Sequence, residues 1–217
     1  MSEFIYGRNP VAEARRGRRA VLREWTAEQV GGEELERLCG SPDHQGIVAE
    51  VDPYPYVGGQ QLLGKRDALI VVLDQVQDPR NLGAVCRSAE VAGADGVVIP
   101  DRRAASVTAV TCKASAGAVE HLEIARVRNI SDFLADAKKQ GFWVWRADGT
   151  ATSAPWEIDL KGPTAIVMGT EGKGLRPRVA ESCDGLIAIP QKGRIESLNV
   201  SVAASVLLFE AVRQRVV

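Results

Sequence analysis

From residue 68 onward the chain alternates short, uninterrupted apolar runs with helical segments, and that alternation limits its fold more than any other feature. Ala68–Leu73, Gly96–Ile99, Leu122–Val127, Phe142–Trp145, Thr164–Met168 and Leu186–Ile189 read as strands. Asn81–Ala92, Ala104–Val119, Ser131–Gln140, Pro177–Cys183 and Leu198–Arg215 read as helices. Asp78 with Pro79 suits the start of the first helix, and Ser131 or Asn129 suits the cap of the third. Strands apolar on both faces have no side to turn to water, so they belong in a parallel sheet covered by helices above and below. The predicted class is α/β.

Upstream, Val11–Leu22 reads as a helix weakened by Gly17, Glu33–Leu38 as a second helix and Gly46–Val51 as a strand. Pro53, Pro55, Gly58 and Gly59 then interrupt any regular pattern. The expected organisation is a small α/β domain over residues 1–52, a linker over 53–66 and the main domain over 67–217.

A content of 45% hydrophobic and 25% charged residues supports a soluble globular chain with an ample core. No apolar run is long enough to span a membrane, and the start Met1-Ser2-Glu3-Phe4-Ile5-Tyr6-Gly7 lacks a secretory pattern. A cytoplasmic protein is expected. Cys39, Cys86, Cys112 and Cys183 are scattered, without a CxxC pair, so reduced thiols are expected and no metal site. The net charge of −1 excludes a uniformly basic nucleic-acid binder. Six arginines nevertheless crowd the first 23 residues: Arg8, Arg15, Arg16, Arg18, Arg19 and Arg23, against Glu3 and Glu13. They fit either a phosphate-binding surface or a solvated helix.

Ligands of open parallel sheets bind beyond the carboxyl ends of the strands, and three such junctions stand out. The first is Asp78-Pro79-Arg80-Asn81, leading into a helix that carries Arg87. Taken alone, Arg87 reads as an exposed salt-bridging residue, with a phosphate contact as the alternative. The second is Gly169-Thr170-Glu171-Gly172-Lys173-Gly174, whose glycines let backbone groups approach a flat ligand. Its spacing is wrong for a phosphate-binding Walker loop, and no GxGxxG follows the first strand of the main domain. The third is Gly193-Arg194-Ile195-Glu196-Ser197-Leu198-Asn199, where Ser197 or Asn199 could cap the final helix. That helix is apolar on more than one face, which calls for deep burial or a subunit interface.

Together the stretches DPRNLGAVCRSAE, IVMGTEGKGL and IAIPQKGRIESLNVSVAASVLLFEAVRQR resemble the three motifs of the SpoU (TrmH-like) branch of the SPOUT RNA 2′-O-ribose methyltransferases, over about residues 68–217. The resemblance implies a deep C-terminal trefoil knot, a homodimer formed through the knot domain, and S-adenosylmethionine held largely by backbone, with Gly169, Ile189 and Leu198 lining its pocket. The family's reactive positions fall on Asn81, Arg87, Glu171, Ser197 and Asn199. Arg87 corresponds to a residue viewed in the family as general base. An arginine is ionised at pH 7 by so wide a margin that deprotonating it costs roughly 8 kcal/mol, so holding a phosphate and stabilising oxyanion charge is the role expected here.

The segments Ile5-Tyr6-Gly7-Arg8-Asn9-Pro10-Val11 and His44-Gln45-Gly46-Ile47-Val48-Ala49 resemble the two ends of the substrate-binding domain of the ribosomal-RNA members. The resemblance implies a guanosine of 23S rRNA as target, with RNA, or a ribosomal precursor, as partner. The stretch between Trp25 and Glu33 is shorter than in that group. A transfer-RNA 2′-O-methyltransferase, an antibiotic self-resistance rRNA methyltransferase and a non-catalytic ribosome-assembly factor are the alternatives. Binding of S-adenosylmethionine separates the last from the enzymes.

Overall fold

The computed structural model describes residues 2–170, 174–195 and 197–216. The first part of the chain forms β1 (Glu3–Tyr6), α1 (Arg8–Ala14), β2 (Val21–Thr26), α2 (Ala27–Val30), α3 (Gly32–Cys39) and β3 (Ile47–Val51). Then come β4 (Val57–Gly58), α4 (Gly59–Leu63), β5 (Leu69–Leu73), α5 (Pro79–Val91), β6 (Gly96–Pro100), α6 (Ala109–Ala114) and β7 (Ile124–Val127). The last part holds α7 (Ile130–Lys139), β8 (Trp143–Ala147), β9 (Thr164–Met168), α8 (Pro177–Glu181), β10 (Gly185–Ile187) and α9 (Val200–Val216).

Seven strands form the main sheet in the order β10-β8-β9-β5-β6-β7-β4, and every pairing is parallel. All five residues of β5, β6 and β9 are buried, the reason their sequences run apolar without alternation. Successive residues still serve opposite faces. Leu69, Val71 and Leu73 pack with Leu82 and Val85 of α5 and with Leu207 and Leu208 of α9. Ala68, Ile70 and Val72 pack with Leu62 of α4, Leu134 of α7 and Val179 of α8. Helix starts follow local chemistry: the Asp78 carboxylate accepts from the Arg80 amide at 2.8 Å and the Asn129 side chain from the Ser131 amide at 3.0 Å.

The small sheet is antiparallel, in the order β1-β3-β2. Its Ile5, Ala49 and Val51, with Val11 and Ala14 of α1, belong to the same apolar cluster as β5 and α5. The junction also contains a buried ion pair. Arg19 donates from Nε to Glu120 at 3.0 Å and from Nη2 to the other Glu120 oxygen, while its Nη1 reaches Glu3 at 3.0 Å. Burial is the largest influence and opposes the Arg19 charge, but the Glu120 hydrogen bonds together with the charges of Cys112 and Glu120 outweigh it, and its pKa lies above the ordinary value.

Two expected helices are corrected. The helix expected over Val11–Leu22 ends at Ala14, and the chain turns at Gly17, where a Cβ would stand 2.5 Å from that of Glu120, before entering β2. Of Ala104–Val119 only Ala109–Ala114 is α-helical; the chain before it is a loop, and Thr108 caps the short helix. The stretch 53–66 packs against the main sheet. β4 pairs with β7, Leu62 and Leu63 are buried, and the Tyr54 hydroxyl lies 3.0 Å from the Val119 carbonyl and 2.7 Å from that of Leu122. Proline and glycine stop long elements there without preventing apolar side chains from packing. Between β2 and α3 the chain passes only through the four-residue α2 and Gly31, matching the short stretch noted after Trp25.

Candidate active site

The carboxyl ends of β8, β9 and β10 open into a cleft of about 280 Å³. Its floor is Met168 and Ile187, the last residues of two strands, and one wall is Val200 and Ala203 at the start of α9. Gly169, Ile189, Ser197 and Leu198 all line it, so four of the residues singled out from sequence converge in one place.

The loop after β9 doubles back on itself. Thr170 and Gly174 exchange backbone hydrogen bonds at 3.2 and 3.0 Å. A Cβ on Gly169 would come within 2.4 Å of the Gly174 carbonyl carbon, and Gly174 has φ +64, so both positions suit glycine for separate reasons. Glu171 lies outside the described residues. The loop is clamped by a pair the sequence reading missed: Asp74, buried at the end of β5, accepts from the Arg176 amide at 2.9 Å and from its guanidinium at 2.8 and 2.7 Å.

Asn199, between the cleft residues Leu198 and Val200, donates from Nδ2 to Asn81 Oδ1 at 3.0 Å. Its Oδ1 accepts from the Ser201 amide at 2.9 Å and hydroxyl at 2.6 Å. Asn199 therefore caps α9 and ties it to the start of α5. Arg87 is placed differently. It is exposed, six residues beyond Asn81 on α5, about 9 Å farther along the axis at 1.5 Å per residue, and it does not line the cleft. Among the described residues its guanidinium makes no ion pair, which corrects the salt-bridging reading.

Asp148 was also missed. It follows β8 directly and is the one acidic side chain among the described lining residues. The Thr150 hydroxyl, then its amide, and the Arg146 guanidinium at 3.1 Å hold its pKa below the ordinary aspartate value, so it is a carboxylate at neutral pH. The signal was available: Asp148 occupies the same strand-end position as the three junctions that were chosen.

Apolar walls, backbone exposed by Gly169 and, among the described lining residues, one carboxylate suit a ligand with a flat base and a cationic end. S-adenosylmethionine has both, and the residues present fit it. An α/β sheet with this cleft at its carboxyl edge places the site where open parallel sheets bind their ligands. Residues 68–209 match the SpoU rRNA Methylase family, and residues 18–57 match the family described as RNA 2′-O ribose methyltransferase substrate binding. The chain belongs to the SpoU rRNA methylase family and is an S-adenosylmethionine-dependent RNA 2′-O-methyltransferase.

YacO of Bacillus subtilis, named for the TrmH family, is 36% identical over 239 residues, covering 98% of this chain and 96% of that one. That alignment is longer than the 217 residues here, so the relative carries residues this chain lacks. The 23S rRNA (guanosine-2′-O-)-methyltransferase RlmB of Xanthomonas campestris is 44% identical over 192 residues, 86% of this chain and 77% of the relative. The AdoMet-bound rRNA methyltransferase of Sinorhizobium meliloti superposes with a TM-score of 0.85 at 26% identity, over 98% of this chain and 87% of that structure.

Proposed function

We propose that the protein methylates the ribose 2′-hydroxyl of a guanosine in 23S rRNA. The observation that carries this reading is the convergence of Gly169, Ile189, Ser197 and Leu198 on one cleft, with Asn199 beside it bonded to Asn81. The choice of RNA rests on the likeness to RlmB and on the substrate-binding match over residues 18–57.

S-adenosylmethionine, when bound, supplies a sulfonium methyl group. The chain's part is placement. Leu198 and Ile189 give the nucleoside end an apolar seat, and Asp148 sets a negative charge towards the cationic end. Asn81 and Asn199, held by each other, orient the ribose, and Ser197 faces the same space. Fixing the attacking oxygen in line with the methyl group supplies much of the rate in a transfer of this kind. Arg87, without an internal anion, holds the phosphate beside the ribose and stabilises charge developing on the 2′-oxygen.

α9 presents Val202, Val206 and Phe209 to solvent at i, i+4 and i+7, and Ser205 of the same helix meets Ser88 of α5 at 2.6 Å. This stripe beside Arg87 supports a homodimer formed through α9. Gly169, Thr170 and Gly174 line the same cleft as Ala188, Ile189, Ser197 and Leu198, and β10 lies on the far side of β8 from β9. That layout supports a trefoil knot at the chain's end. Four free thiols, and no helix among the described residues long and apolar enough to cross a membrane, are consistent with the cytoplasm.

Incubation with tritiated S-adenosylmethionine and separated bacterial 23S rRNA and tRNA should label the 23S rRNA at a 2′-oxygen; label confined to tRNA overturns the substrate. Arg87→Lys should keep RNA affinity and lose at least about tenfold in turnover, because a point ammonium lacks the guanidinium fork. Near-normal turnover removes any fork-dependent role for Arg87.

A further inference from the structure

We propose that the carboxyl edge of the main sheet, beyond the cleft, is a ledge that binds RNA phosphates through Arg102, Arg103 and Arg128. The proposal rests on the RNA-methyltransferase reading and adds the path by which the strand reaches the cleft.

The three side chains are brought together by the sheet. β6 and β7 end in register, Pro100 opposite Val127, and the Asp101 amide donates to the Val127 carbonyl at 2.9 Å. Arg102 and Arg103 therefore follow one strand end and Arg128 its immediate neighbour. On the other side of β6 lie β5 and then β9, whose last residue, Met168, lines the cleft. At about 4.8 Å between strands, the ledge begins within roughly 10–15 Å of the cleft. That distance is short enough for a few nucleotides.

Charge pairing distinguishes the ledge from Lys65, Arg66 and Lys138 at the opposite edge. Among the described residues Arg102, Arg103 and Arg128 are exposed and make no ion pair, with Asp101 the one exposed carboxylate on the same two loops. At the amino edge Lys65 is paired with Asp95 and Glu123, Arg66 with Asp67, and Lys138 with Asp184. Arg215, by the same edge, donates to the carbonyls of Leu160, Asp67 and Gly162. Nearer the cleft on the same carboxyl edge, Arg146 is paired with Asp148 and Arg176 with Asp74, whereas the three ledge arginines are left open to an outside anion.

The loop that carries Arg102 and Arg103 is fixed. Val107 donates to the Tyr56 hydroxyl at 2.7 Å, Ala105 to the Val76 carbonyl at 2.8 Å, and both residues are buried. Within it Arg103 adopts φ +58, a left-handed conformation that glycine would take without strain. An arginine held there against its backbone preference points to a side chain needed at that spot.

The test is the salt dependence of binding to a labelled, random-sequence single-stranded RNA, titrated between about 50 and 200 mM salt. Each phosphate contact to a single strand adds about 0.7 to the slope of log K against log salt. Arg102→Gln, Arg103→Gly and Arg128→Gln should each lower the slope by about 0.7, and the triple variant by about 2. Affinity for S-adenosylmethionine should stay unchanged, and Arg103→Gly should melt no lower than the parent because it relieves the strained φ. An unchanged slope in the triple variant overturns the proposal, as does an equal loss in Arg66→Gln at the opposite edge. Because this RNA carries no target site, the slopes answer even if the labelling experiment finds a substrate other than 23S rRNA.

Discussion

The first 23 residues and the loops after β6 and β7 both carry arginines, and the fold treats them differently: three of the amino-terminal six have an internal carboxylate, and none of the three on the ledge does. The amino-terminal six are dense in sequence and engaged in space. Arg19 is buried against Glu120 and Glu3, Arg15 binds Glu24 and Arg16 binds Glu13. Arg18 donates to the Leu122 carbonyl, Arg8 to that of Gln45, and Arg23 lies 4.9 Å over the Trp25 ring. The three on the ledge are separated in sequence yet neighbours on the sheet, and among the described residues they are unpaired. Density along the chain is a poor guide to phosphate binding. An arginine is available to an outside anion only where the fold has not already supplied an inside one, and a buried arginine must have an inside one to offset its desolvation.

The comparison breaks most sharply at Arg19. Arg19→Met leaves Glu120 buried without its cation and should cost about 3–5 kcal/mol in urea unfolding, while folded protein keeps its salt slope for RNA. A cost below about 1 kcal/mol would mean that this pair does not secure the junction. Gly169→Ala leaves both arginine groups intact and forces a Cβ towards Gly174, so affinity for S-adenosylmethionine should fall at least about tenfold by calorimetry. Undiminished binding would remove the loop after β9 from the cofactor's wall.

The ledge variants should show the converse of Arg19→Met: RNA affinity lost through the salt slope, stability kept. The smallest effect is expected at the surface pair. Arg15→Gln should cost less than about 1 kcal/mol near neutral pH. The hydrogen bond from Arg15 and its charge hold the Glu24 pKa below its ordinary 4.5, so the pair's contribution is present above that value and is lost as the pH falls through the lowered one. Unfolding curves of Arg15→Gln and the parent should converge at acid pH; a gap that widens there contradicts the assignment.

Much of the fold was legible because its causes are local. Strands buried on two faces must be apolar throughout, so β5, β6 and β9 announce a parallel sheet. Glycines at Gly169 and Gly174 mark a loop folded more tightly than other residues permit. The misreadings also have causes. Val21–Thr26 mixes Arg23, Glu24 and Trp25 without a clean alternation, because β2 is an edge strand with no fully buried residue, and the helical character of α1 was extended into it. Asp148 and the Asp74–Arg176 clamp were passed over because a single acid after a strand is common, and its significance depends on what faces it.

The sequence alone determined the α/β layering and the glycine-marked loop at the carboxyl edge, since burial on both faces and freedom from a Cβ are written residue by residue, whereas Ile189 and Leu198 were expected in the cleft through the family resemblance. Only the tertiary structure decided which cations are free and that Arg87 stands outside the cleft's lining. Pairing joins residues remote along the chain, Arg19 to Glu120 across 101 positions and Arg176 to Asp74 across 102, and no local pattern encodes a charge's partner at that distance.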